Sequence, residues 1–149
     1  MKIYAMLTLL LIPIIFLSGC DNHNIPPTPS PHVYKGELMM EWQGKDSIKS
    51  GETIQLKVWA KNTDDRSLSY LIELSAEGTG IVNVSINGQS ALNVNTTYES
   101  VQPTAQTSQK IFDVKGTTET TSQTVKITAR LYAENNLVKS DYILLKINK

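Results

Sequence analysis

A single cysteine, Cys20, stands in the whole sequence, so no internal disulfide can brace the fold and its stability has to come from packing. Histidine is nearly as scarce. His23 and His32 both precede residue 33, in a proline-rich stretch that offers nothing to hold an imidazole against a nucleophile, which argues against acid-base or triad catalysis. Charge of neither sign dominates: Lys and Arg total 14 and Asp and Glu total 14, so the basic footprint of a nucleic-acid binder is missing. Neither a glycine-rich phosphate loop nor a dinucleotide fingerprint is present, and no segment after Val33 sustains a helical period. What remains is 40% hydrophobic and 19% charged, enough apolar surface for a packed interior and too much for a disordered chain.

The apolar residues open with a run from Ile3 to Leu17 behind Lys2, followed at once by Ser18, Gly19 and Cys20. As a helix this run would reach about 22 Å at about 1.5 Å per residue, short of the roughly 30 Å of a bilayer core. It therefore reads as a cleavable leader rather than a span. The Leu17-Ser18-Gly19-Cys20 junction resembles the lipobox of prokaryotic lipoproteins. That resemblance implies a signal peptide over 1–19, acylation of Cys20 as the first mature residue, and attachment to a membrane through the lipid. Losing Lys2 leaves 13 basic against 14 acidic residues, a net charge of −1. Asp21 resembles the signal that retains such proteins in the inner membrane of a diderm bacterium. The expected location is the periplasmic face there, or the cell surface in a monoderm or an archaeon.

From 20 to 32 the chain is a tether. Pro26, Pro27, Pro29 and Pro31 fix φ and favour an extended spacer of about 3 Å per residue, enough to lift a domain roughly 30 Å from the lipid. The remaining 33–149 form one domain in which period-2 alternation predicts strands. Tyr34, Leu38, Met40 and Trp42 share one parity. Ile54, Leu56, Val58 and Ala60 give the next row, ended by a polar turn from Asn62 to Arg66. Leu68, Tyr70, Ile72, Leu74 and Ala76 follow, and then Val82, Val84 and Ile86. Asn87-Gly88 suits a type I′ turn, which predicts that 81–86 pairs with 91–98. Lys110 to Val114 is a short strand before a threonine-rich loop over 115–122. Val125, Ile127, Ala129, Leu131 and Ala133 form a hairpin through Glu134, Asn135 and Asn136 with a last strand that aligns Ile143, Leu145 and Ile147.

Seven to nine short strands without a helix predict an all-β, immunoglobulin-like antiparallel β-sandwich, with a barrel as the alternative. Gly51-Glu52 before a strand that ends in the Lys61-Asn62 turn resembles the prokaryotic surface immunoglobulin-like domains. Such domains serve as spacers, adhesion modules and assembly parts alike, so the resemblance implies a fold and no single activity.

Candidate chemistry is thin. Asp64 and Asp65 read as solvated turn acids rather than a glycosidase pair. Asp21, His23 and His32 match no compact metal motif, and Asp64, Asp65 and Glu73 lack an ordered calcium loop. No catalytic residue, metal or cofactor is expected. Asn83-Val84-Ser85 and Asn95-Thr96-Thr97 match the N-glycosylation pattern, which matters only in a source with the matching transferase. In immunoglobulin order the third, penultimate and last strands share a sheet, and Leu71, Arg130, Tyr132, Tyr142 and Leu144 converge on its outer face with one charge among them. Tyrosine and arginine are favoured in binding hot spots, so this is the candidate protein-interaction face. Trp59, between Lys57 and Lys61 on the other sheet, is the alternative ligand face. The sequence thus points to a lipid-anchored, non-enzymatic binding or structural module of the cell envelope that meets another envelope protein. A carbohydrate or cell-wall binding module is the second reading and a hydrolase the third.

Overall fold

The computed structural model describes residues 30–77, 82–90 and 94–149. Cys20, Asp21, His23 and the leader lie outside them, as do the first prolines of the tether. The compact unit begins at His32, one residue before the boundary expected at Val33. Its strands are β1 (Gly36–Trp42), β2 (Ser47–Lys49), β3 (Thr53–Asn62), β4 (Leu68–Glu77), β5 (Val82–Ile86), β6 (Gln89–Ser90), β7 (Val94–Val101), β8 (Lys110–Thr118), β9 (Gln123–Ala133) and β10 (Asn136–Asn148). They build two five-stranded sheets, ordered β1-β3-β8-β5-β6 and β2-β10-β9-β4-β7. The first contains the A-B-E-D order of immunoglobulin domains and the second the C-F-G order, so the fold is an immunoglobulin-like β-sandwich. The pairings are antiparallel apart from β2, which runs parallel to β10 from Ser47 to Lys49.

Alternation drives this architecture. In β3, Leu56, Val58 and Ala60 have no exposed surface, and Ile72 and Leu74 of β4, Ile127, Ala129 and Leu131 of β9 and Leu145 and Ile147 of β10 meet them from the opposite sheet. The half-sandwich rows read from the sequence are the core. One lateral edge is closed by Trp42, whose indole Nε1 donates to the Leu144 carbonyl of β10 at 3.1 Å. The Gly51-Glu52 pair shapes the turn that leads into β3. Gly51 takes φ +90°, and the Glu52 carboxylate accepts the Lys49 amide at 2.8 Å.

Three expectations need correction. Asn87 and Gly88 adopt the positive φ angles of a tight turn (51° and 76°), but among the described residues the hairpin they close pairs Ser85 with Ser90 and Ile86 with Gln89 and no others. The next strand, β7, crosses to the other sheet and pairs with β4, Leu74 facing Val94 and Leu68 facing Val101. There its buried ends, Val94 and Val101, join the core. Second, β8 does not stop at Val114 but continues through the threonines to Thr118. Gly116 makes this possible, because a Cβ there would overlap Ile147 Cδ1, and Thr118 is buried with its hydroxyl donating to the Thr121 carbonyl at 2.9 Å. Third, the last hairpin turns through two residues, Glu134 (φ 47°) and Asn135 (φ 65°), while Asn136 already pairs with Ala133.

Candidate functional site

The β4, β9 and β10 strands lie side by side, and all five residues of the expected interaction face stand on the outer side of their sheet. Register divides them into rows. Leu71 lies opposite Tyr132, which on its other side faces Leu137. The next row is polar: Glu73 faces Arg130, whose guanidinium donates to Glu73 Oε1 at 3.2 Å and to the Ser75 hydroxyl at 3.1 Å, with Ser140 beyond. Ser75, Thr128 and Tyr142 form the third row and Glu77, Lys126 and Leu144 the fourth. Lys126 Nζ sits 3.7 Å from the Glu77 carboxylate and 5.1 Å from the Tyr142 ring centroid.

The face is therefore not the continuous patch with one charge that the sequence implied. Tyr132 and Tyr142 are separated by the four steps from register position 132 to 128, about 13 Å along the strand at about 3.3 Å per residue. Between them lies the Glu73–Arg130 pair, and the Lys126–Glu77 pair lies on the far side of Tyr142. Thr128, in the same row as Tyr142, has the outward parity and is only 5% exposed, so neighbouring side chains cover it. The apolar exposure lies on β10, where Leu137, Tyr142 and Leu144 are 57%, 56% and 49% exposed. At the Leu71–Tyr132 end an open groove of about 380 Å³ runs between β4, β7 and the last hairpin, lined also by Ser69, Thr97, Glu134 and Asn135.

Trp59 lies on the outer face of the other sheet, half-buried and directly across from Met39 of β1 in the strand register. Asn83 and Asn95 are both exposed, on different sheets.

A second cluster contradicts the sequence reading of its residues. His32 is not free in the tether: its Nε2 lies 2.9 Å and 3.1 Å from the two oxygens of Asp64, and its ring meets Tyr34 edge-on at 5.0 Å. Nor is Asp64 a solvated turn acid, being 5% exposed and accepting the Lys35 amide at 3.1 Å. Asn62, placed in a polar turn by the sequence, is fully buried. Its Nδ2 donates to the Arg66 and Val101 carbonyls at 2.7 Å and 2.8 Å, and its Oδ1 accepts the Asp64 amide at 2.9 Å and the Tyr70 hydroxyl at 3.0 Å. The Tyr70 hydroxyl also lies 2.7 Å from the Lys35 carbonyl.

The electrostatics follow from this packing. Burial alone pushes the Asp64 carboxyl up, but the hydrogen bonds and charge of His32 and the Lys35 amide together outweigh it and bring the pKa down to about 2. Tyr70 is pushed up to about 12 by burial and by the neighbouring Asp64 charge. His32, Asp64 and Asp65 each offer a metal-ligating atom within 4.8 Å of the others. Both Asp64 oxygens are already taken by protein donors, however, and Asp65 is exposed with Arg66 Nε 3.8 Å away, so the cluster is built as an ion pair.

Parity would have revealed Asn62. It extends the inward row of Ile54, Leu56, Val58 and Ala60 by one step, and a polar side chain in a core row must find partners there.

No family model matches the chain, and no curated protein does. Among solved structures it is similar to the N-terminal domain of PorA at 12% identity and a TM-score of 0.45, covering 74% of this chain and 97% of that one. A CARDB domain of the PF1109 protein from Pyrococcus furiosus, solved in complex with di-metal ions, is 17% identical with a TM-score of 0.44, covering 79% and 97%. The PapD-like domain 7 of human CEP192 is 12% identical with a TM-score of 0.38, covering 87% and 94%.

Proposed function

We propose that the chain is a membrane-anchored extracytoplasmic lipoprotein whose sandwich is a non-enzymatic protein-binding or structural module of the cell envelope. Support for the anchor comes from the leader and the Leu17-Ser18-Gly19-Cys20 junction. Support for protein binding rests on one observation, the run of half-exposed Leu137, Tyr142 and Leu144 along β10. A rigid sheet presents such side chains without the ordering cost a loop incurs. The non-enzymatic reading draws on His32, the imidazole among the described residues, being engaged with Asp64.

A photo-crosslinking residue placed at Leu144 in cells should give a discrete adduct with one envelope protein, whereas one at Lys57 on the opposite sheet should not. Tyr142→Ser should reduce that adduct and leave the fold intact, and Tyr132→Ser tests the groove end separately. Equal crosslinking from both sheets would overturn the assignment of the face. For the anchor, Cys20→Ser should move the protein from the detergent to the aqueous phase, because each buried methylene of an acyl chain contributes about 0.8 kcal/mol. A mature protein that keeps its leader and an unmodified thiol would remove that part of the proposal.

A further inference from the structure

Segment 32–35 precedes the first strand and is held to the sandwich by Tyr34, which packs against the core, and by side-chain hydrogen bonds. Asp64 takes the Lys35 amide on Oδ2 and the His32 imidazole on both oxygens, and the Tyr70 hydroxyl reaches the Lys35 carbonyl. Of these ties, the one between His32 and Asp64 is made by an imidazole, the side-chain type that gains or loses its charge between about pH 5 and about pH 8. The His32 side chain is 25% exposed, open to that proton, while the Asp64 side chain is 1% exposed.

We propose that His32 and Asp64 form a proton-operated clasp that holds segment 32–35 against the β3–β4 turn when the imidazole is charged and lets it open more often when the imidazole is neutral. The other groups around the imidazole do not reverse this sense. Tyr34 presents a ring edge, and the Tyr70 hydroxyl stays neutral beside Asp64. Asp65 adds a second negative charge and Arg66 partly offsets it. A neutral ring still donates through Nε2–H to the charged carboxylate, but the attraction between two opposite charges is lost. Its other tautomer would turn a lone pair toward the carboxylate.

The consequence rests on reading 20–32 as the tether. Opening would free four residues at about 3 Å each and shift the point where the spacer leaves the domain. The clasp itself can be tested without that reading. Hydrogen exchange at the Lys35 amide in the full chain, held in detergent and corrected for intrinsic rates, should show protection about fivefold lower at about pH 8 than at about pH 5.5. Amides of β9 should show no such change. In His32→Gln, a neutral donor at every pH, Lys35 protection should no longer depend on pH. Unchanged protection in the wild type, or the same pH dependence in His32→Gln, would overturn the clasp while leaving the Cys20 partitioning result untouched. Asp64→Asn should also abolish the dependence if it folds, and if it does not, the His32→Gln comparison decides alone.

Discussion

Replacing Asn62 by alanine removes four hydrogen bonds from a fully buried position: two donated to the Arg66 and Val101 carbonyls and two accepted from the Asp64 amide and the Tyr70 hydroxyl. They will not all be equally costly. Tyr70 keeps the Lys35 carbonyl as a partner, and the Arg66 carbonyl lies in a turn that water can reach. The Val101 carbonyl and the Asp64 amide are left inside without replacements. A buried polar group stranded in this way costs about 1–3 kcal/mol, so Asn62→Ala should destabilise by about 3–5 kcal/mol in all. That is a large part of the total stability of an ordinary domain. Urea unfolding followed by the fluorescence of Trp42, which is buried, measures the loss. Tyr70→Phe should cost about 1–2 kcal/mol, and the double variant should cost less than the sum because the two side chains share a bond. A loss below about 1 kcal/mol for Asn62→Ala would refute the reasoning, since the network would then be ornamental to the fold.

Further outcomes follow from other parts of the sandwich. Ile127→Ala should cost about 2–5 kcal/mol, whereas Lys126→Ala, which loses only a surface ion pair and a contact with Tyr142, should cost under about 1 kcal/mol; denaturant midpoints show the contrast. Gly116→Ala should destabilise by about 1–3 kcal/mol, because the added methyl must displace the buried Ile147 side chain, and Gly116→Ala with Ile147→Val should recover part of that in the same melt. The Asp64 carboxyl is lowered in the folded state from its ordinary 3.8 to about 2, so its contribution is complete above about 3.8 and disappears as pH falls through about 2. Thermal midpoints of the wild type should drop across that window more steeply than those of Asp64→Asn.

The alternation of β3, β4 and β9 was legible because each buries one face only, which forces a strict period of two onto Ile54 to Ala60, Leu68 to Leu74 and Val125 to Ala133. The sheet face was legible for the same reason, as Leu71, Arg130 and Tyr132 occupy the opposite parity. Register was not. Without the one-residue irregularity between Leu137 and Lys139 in β10, Tyr142 would face Ile127 instead of Thr128, and no local pattern announces it. The switch of β7 to the far sheet was likewise hidden, since the Asn87-Gly88 turn signal fixes a hairpin without fixing how long its ladder runs. The His32–Asp64 pair joins positions 32 residues apart, and polar residues beside prolines carry no signature of burial.

The closed lateral edge also bears on how the molecule folds. Trp42 and the Leu144 carbonyl are 102 positions apart, and β2 pairs with the last three positions of β10 at a similar distance along the chain. Contacts so remote in sequence return nothing until the intervening chain is ordered, because closing a loop costs entropy that only later contacts recover. Sandwiches built this way fold in about milliseconds to seconds rather than microseconds. The joining of the early and late strands is thus expected late in folding. A chain that loses β10 would not lose one strand alone: β2 and the Trp42 indole would be left without partners, and β9 would become an edge.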